Sequence, residues 1–178
     1  MVWIAFFSQT GGEIQALAEM LGRYPDLIVT NRNDLTNVKV KHRTMLKLPN
    51  KPSVQEYLDI LKYYDSENTI ITLHGYLRIL PAQVCDKYEI YNLHPGLITK
   101  YPELKGKDPQ EKAYKLKLPT SGAVLHRVTA ELDSGPIIDS FEINIQKKSV
   151  NEIYDNIYNK STSLWFKNLK RKFNGYET

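Results

Sequence analysis

The chain has 178 residues, of which 42% are hydrophobic and 25% charged, and this fits one globular domain of ordinary composition with a sizeable core. Its 24 basic and 20 acidic residues give a net charge of +4; because the two signs are interspersed, we do not expect nucleic acid as a partner, although a mild positive field favours an anionic small molecule. Because no apolar run approaches the ~18 residues of a membrane span, and because Cys85 is the one cysteine, we expect a cytoplasmic protein without a disulfide or a membrane partner.

The first half of the chain alternates strand and helix patterns. Residues Val2–Phe7 form an apolar run that predicts a buried parallel strand. The glycines of Ser8–Gly12 predict a turn, which leads into a helix at Glu13–Gly22. A second helix is predicted from Pro52 to about Tyr64, with Ser53 and Glu56 spaced as a capping box. Further strands are predicted at Asp26–Thr30, Met45–Leu48, Thr69–Leu73 and Tyr88–Leu93.

The last third of the chain has a different pattern. Val124–Thr129 and Ile137–Ile145 predict an antiparallel pair of strands, and Val150–Lys172 predicts one long helix that begins at a capping box of Ser149 and Glu152. Together the elements predict an α/β fold in a single domain over residues 1–178. Its core is a doubly wound, mostly parallel sheet, followed by a C-terminal antiparallel extension and a long final helix.

Asn92 and His94 are the most informative polar residues, because they lie at the end of the predicted strand Tyr88–Leu93. Side chains alternate along a strand, so both project from one face. Open α/β sheets bind ligands at the carboxyl ends of their strands. An amide donor beside an imidazole suits a reaction that builds negative charge on an oxygen and moves a proton. Taken alone, the pair is explained equally well as a hydrogen-bonded Asn and a surface His.

The turn Ser8–Gly12 is a second candidate, because backbone N–H groups and the dipole of the next helix favour an anion there. It lacks the Gly-x-Gly-x-x-Gly pattern of dinucleotide-binding turns and the Lys of a P-loop, which argues against a dehydrogenase. Glu13 would repel a phosphate, but a Glu in the first turn of a helix also fits ordinary dipole stabilisation. Both interpretations of Glu13 stay open.

Four segments, in this order along the chain, resemble the folate-dependent formyltransferases, and above all those that act on glycinamide ribonucleotide. The similarity runs from residue 2 to about residue 145 and continues more loosely through the last helix. Its most specific part is the combination of Asn-x-His-Pro with Leu-Asp-x-Gly-Pro. The segments are Ser8–Leu17, His74–Leu80, Asn92–Pro95 and Glu131–Pro136.

The resemblance implies the formyltransferase fold, 10-formyltetrahydrofolate as the formyl donor, an amine as the acceptor and no metal. It also implies a catalytic triad of Asn92, His94 and Asp133. In that triad Asn92 and a protonated His94 would stabilise an oxyanion, by ~3–4 kcal/mol per donor in other acyl transfers, and Asp133 would fix the tautomer of His94 or relay the amine proton. The implied acceptor site is Gly11, Gly12 and Glu13. The implied folate-binding residues are Leu77, Arg78, Ile79, Leu80, Val128, Glu131 and Asp133.

Three departures from the family pattern concern the acceptor. Gly12 and Glu13 replace a small hydroxyl residue and an Asn, and a Glu that the ribonucleotide enzymes use on the ribose is replaced near Ser161. The stretch Lys105–Pro109 is more similar to the Arg-Gly-x-x-Pro of sugar-nucleotide and methionyl-tRNA formyltransferases. We nevertheless do not expect tRNA as a partner, since the chain lacks the C-terminal barrel with which the latter enzymes hold it.

We therefore expect formyl transfer to a primary amine, with glycinamide ribonucleotide in purine synthesis first and an amino-sugar nucleotide second. A formyltetrahydrofolate hydrolase would use the same triad with water as acceptor. Those enzymes carry an N-terminal regulatory domain, for which a strand that starts at Val2 leaves no room. A non-catalytic folate-binding module is a further alternative, although Asn92, His94 and Asp133 are all present. The sequence does not indicate the oligomeric state.

Overall fold

The computed structural model describes residues 1–41 and 44–175. Its strands are β1 (Val2–Phe7), β2 (Leu27–Thr30), β3 (Met45–Lys47), β4 (Thr69–His74), β5 (Glu89–His94), β6 (Thr120–Arg127) and β7 (Ile137–Asn144). Its α-helices are α1 (Gly12–Leu21), α2 (Val54–Leu61), α3 (Ala82–Cys85), α4 (Pro109–Lys115) and α5 (Val150–Phe173), and short 3-10 helices occur at Ser66–Asn68 and Pro102–Leu104. The strands belong to one mixed sheet in the order β3-β2-β1-β4-β5-β6-β7.

The chain divides into two compact units, which are described separately. The first comprises residues 1–92 together with 128–131, and the second comprises residues 93–127 together with the chain from 132 onward. The division falls inside β5, between Asn92 and Leu93. A single domain over residues 1–178 stays a prediction.

The first unit is a parallel sheet covered by helices. β1 pairs in parallel with both β2 and β4, and β4 pairs in parallel with β5. Both faces of β1 are buried, since Trp3, Ala5 and Phe7 on one face and Ile4 and Phe6 on the other are at most 1% exposed, as expected for a parallel strand between helical layers. On one face the core includes side chains of α2 and the segment around α3, namely Tyr57, Leu61, Val84 and Tyr88.

The second unit is built on the antiparallel pair of β6 and β7, whose register runs from Thr120 opposite Asn144 to His126 opposite Ile137. Its core joins β6, α4 and α5 through apolar side chains: Leu97, Ile98, Leu104, Ala113, Ala123, Val124, Ile145, Ile153 and Ile157. The outer strand β7 has exposed Ile137 and Ile138. α5 begins at the N-cap Ser149, whose hydroxyl accepts the Glu152 N–H while the Glu152 carboxylate accepts the Ser149 N–H.

The predicted fold class is confirmed, and so are both capping boxes, at Ser53 and Ser149. The main differences lie in short elements. β6 begins at Thr120, four residues before the predicted start, because Ser121 and Gly122 are buried between strands although neither is a strong strand former. The helices α3 and α4 were not predicted, because with four and seven residues they are too short to show a helical period. Within the described residues, no helix has the length and apolarity of a membrane span.

Candidate active site

His94 is the last residue of β5 and is buried in the second unit. Its Nε2 lies 2.7 Å from the carbonyl oxygen of Leu104. Gly96 packs closely against the ring: a Cβ added there would lie 3.1 Å from His94 Nε2 and 2.7 Å from Pro109 Cβ. Only a residue without a side chain therefore leaves His94 and Pro109 where they are.

Asp133 lies beside His94, as the sequence predicts. Its Oδ2 is 3.3 Å from His94 Nδ1 and accepts the backbone N–H of Gly106 at 3.1 Å. The side chain is buried, and the backbone has φ 50°, in the left-handed region that residues other than glycine adopt at a cost. Strained residues of this kind persist where their surroundings determine their conformation, and they concentrate at functional sites.

The hydrogen-bond partners of His94 determine which form of the ring fits. A carbonyl oxygen only accepts, so Nε2 carries a proton that it donates to Leu104. On the other side, Nδ1 faces a carboxylate oxygen of Asp133, which also accepts. Only the imidazolium form has a proton on both nitrogens. The geometry therefore fits a positively charged His94 paired with a negatively charged Asp133.

A second histidine, His126, contacts the same carboxylate. It lies in β6, is 3% exposed, and places Nε2 3.7 Å from Asp133 Oδ1. Its Nδ1 lies 3.0 Å from the carbonyl oxygen of Arg127. Burial lowers the pKa of His126 below its ordinary value, against the opposing effect of Asp133. Sequence reasoning missed His126; the available signal was a polar ring that ends the apolar run from Ala123 to Leu125.

Asn92 precedes His94 by two residues in β5, and the alternation of side chains puts the two on the same face of that strand. It is half-buried, and it belongs to the first unit, whereas His94 and Asp133 belong to the second. The predicted proximity of His94 and Asp133 is observed. The catalytic roles of all three residues stay predictions.

The predicted folate-binding residues, apart from Asp133, lie in the first unit. Leu77 and Ile79 are 60% and 64% exposed, whereas Leu80 is buried. The Leu77 N–H donates to Ser8 Oγ at 2.9 Å, and Arg78 donates through Nε to the Asn50 carbonyl at 2.7 Å. The segment after β4 thus presents apolar side chains on a backbone that is fixed by hydrogen bonds.

The remaining predicted folate residues flank a backbone contact with β5. The Val128 N–H donates to the Ile90 carbonyl at 2.8 Å, and Glu131 is exposed. Beside Arg78 lies a polar cavity of about 230 Å³. It is lined by Ser8, Asn31, Arg32, Asn33, Asp34, Asn50, Leu77 and Arg78. Whether the folate set and the His94–Asp133 pair serve one site stays a prediction.

The predicted acceptor turn follows β1 and is covered by a loop of the same unit. Gly11 has φ 69° as the N-cap of α1, and a Cβ added to it would lie 2.5 Å from Val40 Cγ1. Lys39 N–H donates to the Thr10 carbonyl at 2.7 Å, and Gly12 N–H donates to Thr10 Oγ1 at 3.2 Å. Backbone groups of the turn are thus partly engaged by the protein itself.

Glu13 does not extend into solvent. Its side chain is 19% exposed, and Oε1 lies 2.6 Å from Nδ1 of the buried His74. His74 Nε2 is 2.8 Å from Thr72 Oγ1, which also accepts the indole N–H of Trp3 at 2.8 Å. The Thr72 hydroxyl can donate to Nε2, so a neutral His74 satisfies every contact in this series. His74 is a further residue whose role the sequence did not indicate.

The described residues contain no group of three or more His, Cys, Asp or Glu side chains arranged to hold a metal ion. The histidines of the site instead face carboxylate, carbonyl and hydroxyl oxygens. What the His94–Asp133 arrangement offers chemically is a fixed positive charge, a carboxylate that can accept a proton, and a second imidazole behind that carboxylate.

Comparisons with known proteins agree on one family. A sequence profile described as formyl transferase matches residues 26–168. Formyltetrahydrofolate deformylase 2, mitochondrial, from Arabidopsis thaliana is 30% identical over 124 residues, which are 68% of this chain and 35% of that protein. Phosphoribosylglycinamide formyltransferase from Bacillus subtilis (strain 168) is 26% identical over 123 residues, which are 68% of this chain and 60% of that protein. The chain thus spans 35% and 60% of the lengths of these two relatives.

The fold agrees with the same family. A solved structure of phosphoribosylglycinamide formyltransferase from Coxiella burnetii, in complex with CHES, superposes with a TM-score of 0.83 and 22% sequence identity. The match covers 100% of this chain and 90% of that one. At this identity the similarity concerns the fold alone.

Proposed function

Because the chain belongs to the formyl transferase family, whose profile matches most of its length, we propose that it transfers a formyl group from 10-formyltetrahydrofolate to a primary amine. The folate supplies an activated formyl group. The residues of this chain bind the donor, place the amine, stabilise negative charge on the formyl oxygen and move the amine proton. The protein acts in the cytoplasm, in accordance with its single buried cysteine.

The observation that carries this proposal is the buried contact between His94 Nδ1 and Asp133 Oδ2 at 3.3 Å. When an amine attacks a formyl carbon, negative charge develops on the oxygen and positive charge on the nitrogen. The imidazolium of His94 stabilises the negative charge, because its Nε2 proton is donated to the formyl oxygen in place of the Leu104 carbonyl. The Asp133 carboxylate takes a proton from the positively charged amine nitrogen. Asn92 supplies a further donor from the same strand face.

The segment after β4 supports a folate as the donor. A flat ring system needs an apolar surface with a few polar groups at its edge. Leu77 and Ile79 provide exposed apolar side chains on a segment whose backbone is held by the hydrogen bond from the Leu77 N–H to Ser8 Oγ. Arg78 adds a positive charge for the carboxylates of the folate tail.

Glycinamide ribonucleotide is the first acceptor that we propose. The support comes from relatives such as the Bacillus subtilis protein, whose name states that substrate. An amino-sugar nucleotide is the second acceptor, and the pairing of Glu13 with His74 favours it. The Glu13 carboxylate, held in the first turn of α1, already interacts with the positive end of the helix dipole. A phosphate that binds at this turn is therefore stabilised less than it would be without the carboxylate.

Water is the acceptor in a further alternative. The Arabidopsis thaliana relative is a formyltetrahydrofolate deformylase by name, and it is 30% identical to this chain over the matched residues. A deformylase forms tetrahydrofolate without any amine. An amine transferase forms it at a rate that depends on the amine.

The test is an acceptor screen of the purified chain with 10-formyltetrahydrofolate, in which tetrahydrofolate formation is followed by absorbance and the formylated product by mass spectrometry. We expect turnover that saturates with one amine and little without it. If tetrahydrofolate forms at the same rate with and without each of the amines, the chain is a deformylase and the assignment as a transferase is wrong. Absence of turnover in both conditions, together with folate binding by calorimetry, would favour a binding module.

The acceptor is decided by comparing wild type with Glu13→Asn. We expect glycinamide ribonucleotide to be used by wild type and used better by the variant, because the carboxylate is removed. Negligible use by both proteins, beside clear turnover with an amino-sugar nucleotide, would reject the ribonucleotide and keep formyl transfer. Glu19→Gln, an exposed change on the same helix, is the control for a general effect of charge.

A further inference from the structure

His126 is a buried titratable group that the proposed reaction does not yet use. It faces Asp133 Oδ1 through Nε2, whereas His94 faces Oδ2 of the same carboxylate. Asp133 is therefore a carboxylate between two imidazoles, with one ring near each oxygen. All three side chains are at most 7% exposed, so water screens the interactions among them weakly.

The protons of His126 follow from its neighbours. The Arg127 carbonyl oxygen only accepts, so His126 Nδ1 carries a proton and donates it at 3.0 Å. Burial lowers the pKa of the ring, which is then neutral near pH 7 and has no proton on Nε2. A basic nitrogen therefore points at Asp133 Oδ1. The separation of 3.7 Å is longer than a hydrogen bond, and it closes once a proton enters between the two atoms.

Charge balance favours this arrangement over two charged rings. With His94 positive, Asp133 negative and His126 neutral, the cluster has no net charge. Lys105 is also near His126 and disfavours a second positive charge, as does His94. During formyl transfer a negative oxygen forms beside the cluster, and a positive charge on His126 is then balanced.

We propose that His126 is a positioning residue that acts through Asp133: it stores on Nε2 the proton that Asp133 removes from the acceptor amine. This role rests on the proposed formyl transfer. The N–H bond of the attacking amine breaks and an O–H bond forms on Asp133. That proton then moves to His126 Nε2, and it returns through Asp133 to the nitrogen that leaves the formyl group, so the ring is neutral again after each turnover.

The test substitutes His126→Asn, which keeps a donor near the position of Nδ1 for the Arg127 carbonyl but removes the basic Nε2. We expect kcat to fall by roughly tenfold to a hundredfold, with the KM for 10-formyltetrahydrofolate nearly unchanged. We also expect the acidic limb of the kcat–pH profile that reflects His126 to disappear. Tyr88→Phe is the matched control, since it removes a buried donor to the Leu61 carbonyl in the first unit, and it should leave kcat and the profile unchanged.

The proposal can fail separately from the proposed function. Wild type that turns over, beside a folded His126→Asn with the same kcat and pH profile, would overturn the role of His126 and keep formyl transfer. Wild type without turnover on any amine would reject both. If His126→Asn does not fold, the ring ¹⁵N shifts of wild-type His126 decide: we expect a protonated Nδ1 and a bare Nε2 at pH 7.5, and a proton on Nε2 would overturn the proposal.

Discussion

The protein contains two buried pairs of histidine and carboxylate that use the same groups in different ways. In the first unit, His74 Nδ1 faces Glu13 at 2.6 Å, and in the second, His94 Nδ1 faces Asp133 at 3.3 Å. The difference lies at the other ring nitrogen. His74 Nε2 meets the Thr72 hydroxyl, which can donate, whereas His94 Nε2 meets the Leu104 carbonyl, which can only accept.

The partner of the second nitrogen therefore decides the charge state that each pair favours. A hydroxyl completes a neutral imidazole, so Glu13 and His74 form a fixed structural pair that carries the charge of the glutamate. A carbonyl requires a second proton, so His94 and Asp133 form a pair of opposite charges. The second pair also has His126 behind it and a carboxylate on a strained backbone at φ 50°. We infer that the first pair serves stability and acceptor choice, and the second serves turnover.

The largest expected effect comes from breaking the second pair. Asp133→Asn removes the negative charge and the proton acceptor and keeps the size of the side chain. We expect kcat to fall by ~10²–10⁴-fold, the range for a general acid or base, with KM for the folate roughly kept. His94→Ala should have a similar effect. Steady-state kinetics test both; near-normal turnover in the two variants would remove the catalytic assignment.

A smaller loss is expected from Gly96→Ala, which changes no polar group of the site. The new Cβ would lie 3.1 Å from His94 Nε2 and 2.7 Å from Pro109 Cβ, so one of them must move. We expect kcat to fall by roughly ten- to a hundredfold, since a displacement of about 1 Å can cost that much. The stability should fall by ~1–3 kcal/mol from overpacking.

The control for Gly96→Ala is Gly22→Ala, at a glycine that has φ 66° and open space around its Cβ position. It should lower the unfolding free energy by about 1 kcal/mol through backbone strain and leave kcat unchanged. Equal kcat values for the two variants and wild type would mean that the position of His94 does not limit turnover.

Breaking the pair of Glu13 and His74 should lower the free energy of unfolding and leave turnover largely unchanged. Glu13→Ala removes the carboxylate that accepts the buried Nδ1–H of His74, and losing one hydrogen-bond partner of a buried group typically costs ~1–3 kcal/mol. We expect that loss in urea unfolding, with the kcat for the preferred acceptor changed less than tenfold. Glu19→Ala, on the exposed face of the same helix, should have a free energy of unfolding within about 0.5 kcal/mol of that of wild type. A kcat loss as large as that of Asp133→Asn would erase the distinction between the two pairs.

The smallest expected effect is a pH dependence of stability that belongs to His126. Burial lowers its pKa in the folded protein, so the unfolded chain binds the proton more readily. The contribution of the neutral His126 to the free energy of unfolding is therefore complete above the pKa of about 6.5 that the ring has in the unfolded chain. It is lost as the pH falls from that value through the pKa in the folded protein, by at most about 1.4 kcal/mol per pH unit. Between pH 7.5 and 5.5, the free energy of unfolding measured in urea should therefore fall more for wild type than for His126→Asn. Parallel pH dependences would contradict a neutral buried His126.

The sequence was most informative about features that residues close together in the chain determine. The strand ending in Asn92 and His94, the capping boxes at Ser53 and Ser149, and the order of the elements all follow from local spacing and periodicity. The adjacency of Asp133 to His94 was not available from spacing. It came from the resemblance to a family, and the structure places the two side chains together.

What the sequence by itself determined was the α/β fold, the family and the candidate residues for the chemistry. Only the tertiary structure decided their partners: the Leu104 carbonyl against His94, His126 behind Asp133, and His74 against Glu13. Each of these contacts joins residues that are at least seven positions apart, on different strands, helices or loops. The charge of an imidazole depends on what faces both of its nitrogens, and a linear pattern does not contain that information.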